Sequence, residues 1–264
     1  MESRLIYEIS GTGSPVLFVN AFPFAGDMWS EVASALSDKH KVITMDLPGF
    51  GKARGLPPLH SLDECADLIA AILRELDIPR CSLTGCSLGG YILFRFAEKY
   101  PGLMNALVLI DTRAGSDAPA ALANRHELAA QVRAHGMDPL VSVMLPNFFS
   151  AESLDRDPEL LTRTGSSMRN TDPEAAAAML EAMAARPDST ERLPDIPCPA
   201  CVVVGAEDVL TPKDQALIMH NGLKNSTLQI IPGCGHLPML ERPGQCAQII
   251  REFLESICRK GAMS

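Results

Sequence analysis

Leu83-Thr84-Gly85-Cys86-Ser87-Leu88-Gly89-Gly90 is the stretch on which the reading of this chain turns. It completes a short apolar run, Cys81 to Thr84, and opens an amphipathic one from Tyr91 to Tyr100. That order predicts strand, sharp turn, helix. Gly85 and Gly89 flank Ser87 in a Gly-x-Ser-x-Gly pattern. A turn this tight strains the serine backbone, and side chains at the flanking positions would strike the neighbouring strand and helix. The expected outcome is a Ser87 hydroxyl lifted above the sheet edge at a helix N-terminus. Backbone N–H groups and the helix dipole favour a developing anion there. An ordinary Gly-rich turn fits the same residues, so the surroundings must decide.

Upstream, Arg4 to Ile9 alternates as a strand should, and Gly11-Thr12-Gly13 supplies a turn into Pro15 to Val19. Val16-Leu17-Phe18-Val19 is apolar on both faces, the mark of a central strand with helices on either side. Asn20-Ala21-Phe22-Pro23 follows, then a helix from about Asp27 to Leu36 and a strand from Lys41 to Met45. Ser61-Leu62-Asp63-Glu64 is a capping box, with Leu62, Cys65, Leu68, Ile69 and Ile72 on one helical face. Downstream, Ala106 to Ile110 reads as a strand closing at Asp111-Thr112. Such alternation implies βαβ units and a mostly parallel sheet.

From Arg113 to about Pro194 the alternation stops. Helical patterns run around Ala118–His135, Pro139–Leu145 and Asp172–Ala185, with no convincing strand. The rhythm returns with a strand at Cys201–Gly205, a helix near Lys213–His220, a strand at Leu228–Ile231 and a last helix from about Gly244 to Cys258. Residues 1–112 and 195–264 are therefore expected to form one α/β core. Residues 113–194 are expected to form a helical lid, inserted after Asp111 over the strand ends where such sheets bind ligands.

The 264 residues suffice for a sizeable core, and 47% apolar content with mixed charge is that of a globular protein. A net charge of −9 without a Lys/Arg cluster argues against nucleic acid or an anionic membrane surface as partner. No apolar run approaches the roughly 20 residues of a membrane helix, and Met1-Glu2-Ser3-Arg4-Leu5 lacks a signal-peptide pattern. The eight cysteines lie scattered in apolar segments, as reduced thiols in a cytoplasmic protein would. Cys198 and Cys201, with Cys234 and His236, could sketch a zinc site, but Cys201 begins an apolar strand and the spacing is wrong. No metal or cofactor is expected. His40, His60 and His135 read as surface residues. Asp46 is read as a brace for the Pro48–Gly51 turn.

A serine nucleophile needs a base, and the base needs an orienting acid. Asp208 follows one late strand and His236 the next, so both belong on loops at the same sheet edge as Ser87. Asp111, directly after its own strand, rivals Asp208 as the acid; otherwise it could cap the first lid segment or pair with Arg113.

The order serine, acid, histidine resembles that of α/β-hydrolases of the lidded esterase and lactonase kind. The matching stretches are Leu17 to Pro23, Asp46-Leu-Pro-Gly-Phe-Gly51, Gly85 to Gly90, Val203-Val-Gly-Ala-Glu-Asp208 and Gly235-His236-Leu-Pro. They span the core from end to end and leave only the lid unmatched. The resemblance implies an α/β-hydrolase fold with Ser87 as nucleophile, His236 as general base and acid, and Asp208 as its orienting partner. The backbone N–H groups of Phe22 and Leu88 would form the oxyanion hole. Relatives commonly carry His-Gly or His-Ala where this chain has Asn20-Ala21, and bulkier or more polar residues where it has Cys86. The implied activity is hydrolysis of a small to medium carboxylic ester through an acyl-enzyme, without cofactor. Lactone hydrolysis of the enol-lactonase type is the alternative, and a ligand-binding receptor-like module the alternative of another class. Met144, Phe148 and Phe149 are the lid candidates for substrate contact.

Overall fold

The strand that carries Ser87 lies at the middle of a seven-stranded sheet. The computed structural model describes residues 7–261, so the N-terminal part of the expected first strand, Arg4 to Ile6, lies outside the described residues. The strands are β1 (Tyr7–Ser10), β2 (Ser14–Val19), β3 (His40–Met45), β4 (Cys81–Cys86), β5 (Met104–Ile110), β6 (Ala200–Gly205) and β7 (Ser226–Ile231). Their order is β1-β3-β2-β4-β5-β6-β7. Only β1 runs antiparallel to its neighbour. The central strands read as continuous apolar runs because helices cover both faces, and β4 and β6 are buried along their whole length. Edge strand β7 keeps only Ile231 fully buried.

Helices α1 (Ser30–Leu36), α2 (Leu62–Glu75) and α3 (Leu88–Lys99) connect the first strands. Ser61 caps α2 as its sequence demands, its hydroxyl accepting the Glu64 N–H at 3.1 Å. The Glu64 carboxylate reaches one residue further back than a capping box requires, to the His60 N–H at 2.7 Å. Between β5 and β6 lie α4 (Pro119–His135), α5 (Asp138–Met144), α6 (Ala151–Arg156), α7 (Leu160–Arg169) and α8 (Pro173–Ala184). Helices α6 and α7 escaped the sequence reading. The first is too short to show a period, and α7 buries Thr164 and Gly165 beside Leu160 and Met168, so its inner face is half polar by composition. The chain closes with α9 (Lys213–Gly222), α10 (Pro238–Glu241) and α11 (Pro243–Gly261).

His40 is buried, not exposed; it begins β3 against Ser14, and burial pushes its imidazole pKa down. Cys65, Cys81, Cys86, Cys198, Cys201, Cys234 and Cys246 are free and buried. The Cys258 side chain lies outside the described residues. Burial pushes the Cys198 and Cys201 thiols up to about 11. Among the described residues no helix is long and apolar enough to cross a membrane.

Candidate active site

Strands β4, β5, β6 and β7 are adjacent and parallel, so the loops after them emerge at one edge. Ser87, Asp111, Asp208 and His236 all sit on those loops. Ser87 joins β4 to α3 with φ 51° and ψ −111°, a conformation that L residues avoid. Strain of this kind costs about 1–3 kcal/mol and persists only where the surroundings impose it. Here the Ser87 N–H donates to Ile110 O at 3.0 Å, and Thr112 Oγ1 donates to Ser87 O at 2.8 Å. The flanking glycines are required by close approach. A Cβ on Gly85 would lie 2.6 Å from the Gly89 carbonyl carbon, and one on Gly89 would lie 2.4 Å from Val19 O. Cys86 points backwards into the core, its thiol 3.8 Å from the His236 carbonyl oxygen, and burial pushes its pKa well up.

His236 and Asp208 form a buried pair, with Nδ1 of the imidazole 2.9 Å from Asp208 Oδ2. Thr211 Oγ1 donates to the same oxygen at 2.6 Å. The N–H groups of Leu210 and Thr211 donate to Oδ1 at 2.8 and 3.2 Å. Burial raises the Asp208 pKa, but the His236 charge and these hydrogen bonds outweigh it and hold the carboxyl below its usual range.

The rival acid lies beneath this pair. Asp111 is fully buried, and its Oδ1 accepts the Gly205 N–H at 2.8 Å. It neither caps the helical segment nor meets Arg113, which pairs with Asp117 at 2.6 Å. Donor atoms of Asp111, Asp208 and His236 lie within 4.8 Å of one another. That spacing could suit a cation, but the Asp208 oxygens already accept four hydrogen bonds from the protein.

The loop after β2 completes the surroundings. Asn20 is buried and bonded at both ends of its amide: Nδ2 donates to Met45 O at 2.7 Å and Oδ1 accepts from Trp29 Nε1 at 3.1 Å. The Ala21 N–H points at Met28 Sδ at 3.3 Å. Phe22, itself buried, follows on this loop, which approaches the first turn of α3 closely enough that a Cβ on Gly89 would lie 3.2 Å from Asn20 O. Asp46 braces the turn read for it, accepting from the N–H groups of Gly26 and Lys52 at 2.6 and 2.7 Å.

Phe148, named from the sequence as a lid candidate for substrate contact, takes its place against the histidine, and Glu241 is a contributor the sequence did not offer. The fully buried Phe148 ring stacks on His236, centroids 5.9 Å apart and planes 11° apart, while its carbonyl accepts the His236 N–H at 2.7 Å. Phe149 and Met144 are half-buried in the same helical segment. Glu241, also buried, accepts the N–H of Gly235 at 2.9 Å, of Leu237 at 3.3 Å and of Ser150 at 3.0 Å. It therefore grips the residues on both sides of His236. The signal available for it was a glutamate five positions after the histidine, too weak to read without the fold.

The solved structure of an esterase from Thermogutta terrifontis with malate bound superposes on this chain with a TM-score of 0.92 at 36% identity, covering 95% of this chain and 93% of that one. The 3-oxoadipate enol-lactonase 2 of Acinetobacter baylyi is 25% identical over 93% of this chain and 88% of its own length. An enol-lactonase structure from Burkholderia xenovorans, at 23% identity, covers 94% of this chain and 95% of its own, with a TM-score of 0.87, and shares the fold. The model of the alpha/beta hydrolase family matches residues 16–249. On the sheet order, the edge that gathers serine, histidine and acids, and this match, the chain is a hydrolase belonging to the alpha/beta hydrolase family.

Proposed function

We propose that this hydrolase cleaves small to medium carboxylic esters through an acyl-enzyme on Ser87. The observation that carries the reading is the strained Ser87 turn on the same sheet edge as the buried His236–Asp208 pair. In this mechanism Ser87 Oγ attacks the ester carbonyl while His236 takes its proton, and the N–H groups of Phe22 and Leu88 hold the oxyanion. His236 then protonates the departing alcohol. Water, deprotonated by the same imidazole, releases the acid and restores Ser87. Asp208 keeps Nδ1 protonated so that the other ring nitrogen faces the reaction.

Residues 113–194 act in this reading as a lid on a core of residues 1–112 and 195–264. Phe149 and Met144 are the lid side chains assigned to the acyl group, and Phe148 to the histidine. A cytoplasmic setting fits the buried, reduced thiols. A lactone is the second candidate substrate, favoured by the likeness to the Acinetobacter lactonase; the chemistry is the same on a cyclic ester.

A p-nitrophenyl ester series and a set of simple lactones, assayed with purified protein, test the reading. Turnover of short or medium esters is expected, along with stoichiometric fluorophosphonate labelling. Ser87→Ala should lose both, retaining at most the binding and oxyanion contribution, about 10³–10⁴-fold over water in other triads. A slow burst without turnover would point to a receptor-like module, and labelling of Ser87→Ala would refute the nucleophile.

A further inference from the structure

Asp111 has no part in the mechanism above, yet it is the most enclosed acid at the site. Its backbone takes φ 40°, a left-handed conformation rare for a non-glycine residue. Two hydrogen bonds to β6 and its end hold it there: the Asp111 N–H donates to Val203 O at 2.9 Å, and Oδ1 accepts the Gly205 N–H at 2.8 Å. No N–H or O–H of the described residues serves Oδ2, which is buried. The group it can bond is the Asp208 carboxyl beside it. Two carboxyl oxygens form a hydrogen bond only when one carries a proton.

The surroundings decide which one carries it. Asp208 receives four donors, including the imidazole, and is served as an anion. Asp111 receives one backbone donor. Around it stand Asp208 from the loop after β6, His236 and Cys234 from the loop after β7, Cys86 from β4, Glu241 from α10 and Cys246 from α11. The strongest charges acting on it, from Asp208 and Glu241, are both negative. Burial first, and the Asp208 charge second, push the Asp111 pKa well above the carboxylate range.

We propose that Asp111 is a neutral carboxylic acid donating a hydrogen bond to the Asp208 carboxylate, and so positions the acid that orients His236. It is a positioning residue, since it touches neither substrate nor imidazole in this role. The inference rests on the assignment of His236 and Asp208 to catalysis given above.

The test compares Asp111→Asn with Asp111→Leu, using the best p-nitrophenyl ester and following kcat and kcat/KM against pH. Asparagine reproduces a neutral acid: its carbonyl accepts the Gly205 N–H and its NH₂ donates to Asp208. Asp111→Asn should keep kcat within about threefold with an unmoved acid limb, whereas Asp111→Leu should lose roughly 10-fold or more, with the acid limb at higher pH. An ionised Asp111 would behave otherwise. Its removal in Asp111→Asn would withdraw a negative charge from beside the imidazole and shift the acid limb to lower pH; that shift, or equal losses in both variants, overturns the proposal. Ser87→Ala run alongside separates the two claims. If it retains turnover, the serine mechanism has failed, whatever the Asp111 variants do.

Discussion

At the scale of single residues, the site sets two carboxyl groups in opposite states, and each has its own consequence. Asp208→Asn should lower kcat about 10⁴-fold, because the amide would favour the wrong imidazole tautomer. Steady-state kinetics check this; a near-normal rate would move the orienting role to Asp111. For Asp111 the folded pKa is raised, so its favourable contribution is complete below the ordinary carboxylate value, near about pH 3.9, and declines as pH rises toward the folded value. Asp111→Asn removes that proton uptake. Its stability relative to wild type should therefore rise with pH, by about 1.4 kcal/mol per unit across the window in which only the native carboxyl holds a proton. Urea unfolding at pH 5, 6 and 7 (~1 unit apart) measures the slope, and a flat difference would mean that Asp111 titrates as an exposed acid.

At the scale of elements, short helix α10 and the turn before α6 hold the histidine loop between them. Glu241 on α10 ties together the N–H groups of Gly235, Leu237 and Ser150, and the Phe148 ring lies flat on His236 between Phe24 and Phe149. Glu241→Gln replaces one acceptor oxygen with a donor facing those N–H groups. A loss of about 1–3 kcal/mol in stability is expected, with kcat falling more than KM rises. Phe148→Ala should lower kcat and remove about 3–5 kcal/mol of stability, since it empties a fully buried site. Phe149→Ala, at a half-buried position, should instead shift the preferred acyl length, by contacts worth about 1–3 kcal/mol. An ester chain-length profile separates the two phenylalanines; an unchanged profile in Phe149→Ala would make that ring packing only.

At the scale of the whole molecule, the helical segment is locked to the sheet by polar as well as apolar contacts. Asp117 has a fully buried side chain and binds Arg113 at 2.6 Å, Arg125 at 2.6 Å and Arg186 at 2.8 Å. Arg186 also lies 4.2 Å over the Tyr91 ring of α3, the helix that begins at the serine turn. Further along, Thr171 Oγ1 donates to Pro23 O at 2.9 Å, on the loop after β2. Removing the Asp117 charge would leave three guanidinium groups facing one another. Asp117→Asn should therefore cost about 3 kcal/mol at neutral pH, read from urea unfolding. Burial opposes ionisation of Asp117, but the arginines prevail and hold its pKa far below normal. Its contribution is thus complete above the ordinary carboxylate value and is lost only as pH falls through the lower folded one, so the variant and wild type should converge in strong acid.

Much of this protein was determined locally and could be read from sequence. The strained serine turn, the α2 cap, the apolar central strands and the late loops carrying Asp208 and His236 each follow from spacing and residue type over a few positions. The burial of Cys86 follows too, since it precedes the turn on a strand covered on both faces. What tertiary structure decided concerns groups far apart in sequence. Asp111 and Asp208 both end strands at one sheet edge, and only the packing set one against the imidazole and the other beneath it. His40 reads as polar surface until β3 buries it, and α7 shows no clear apolar period because its inner face includes threonine and glycine. Glu241 and Phe148 acquire their meaning from residues that are near only after folding. Sequence patterns record the free energy of local conformation and burial; protonation and pairing depend on the field and the neighbours that the fold assembles.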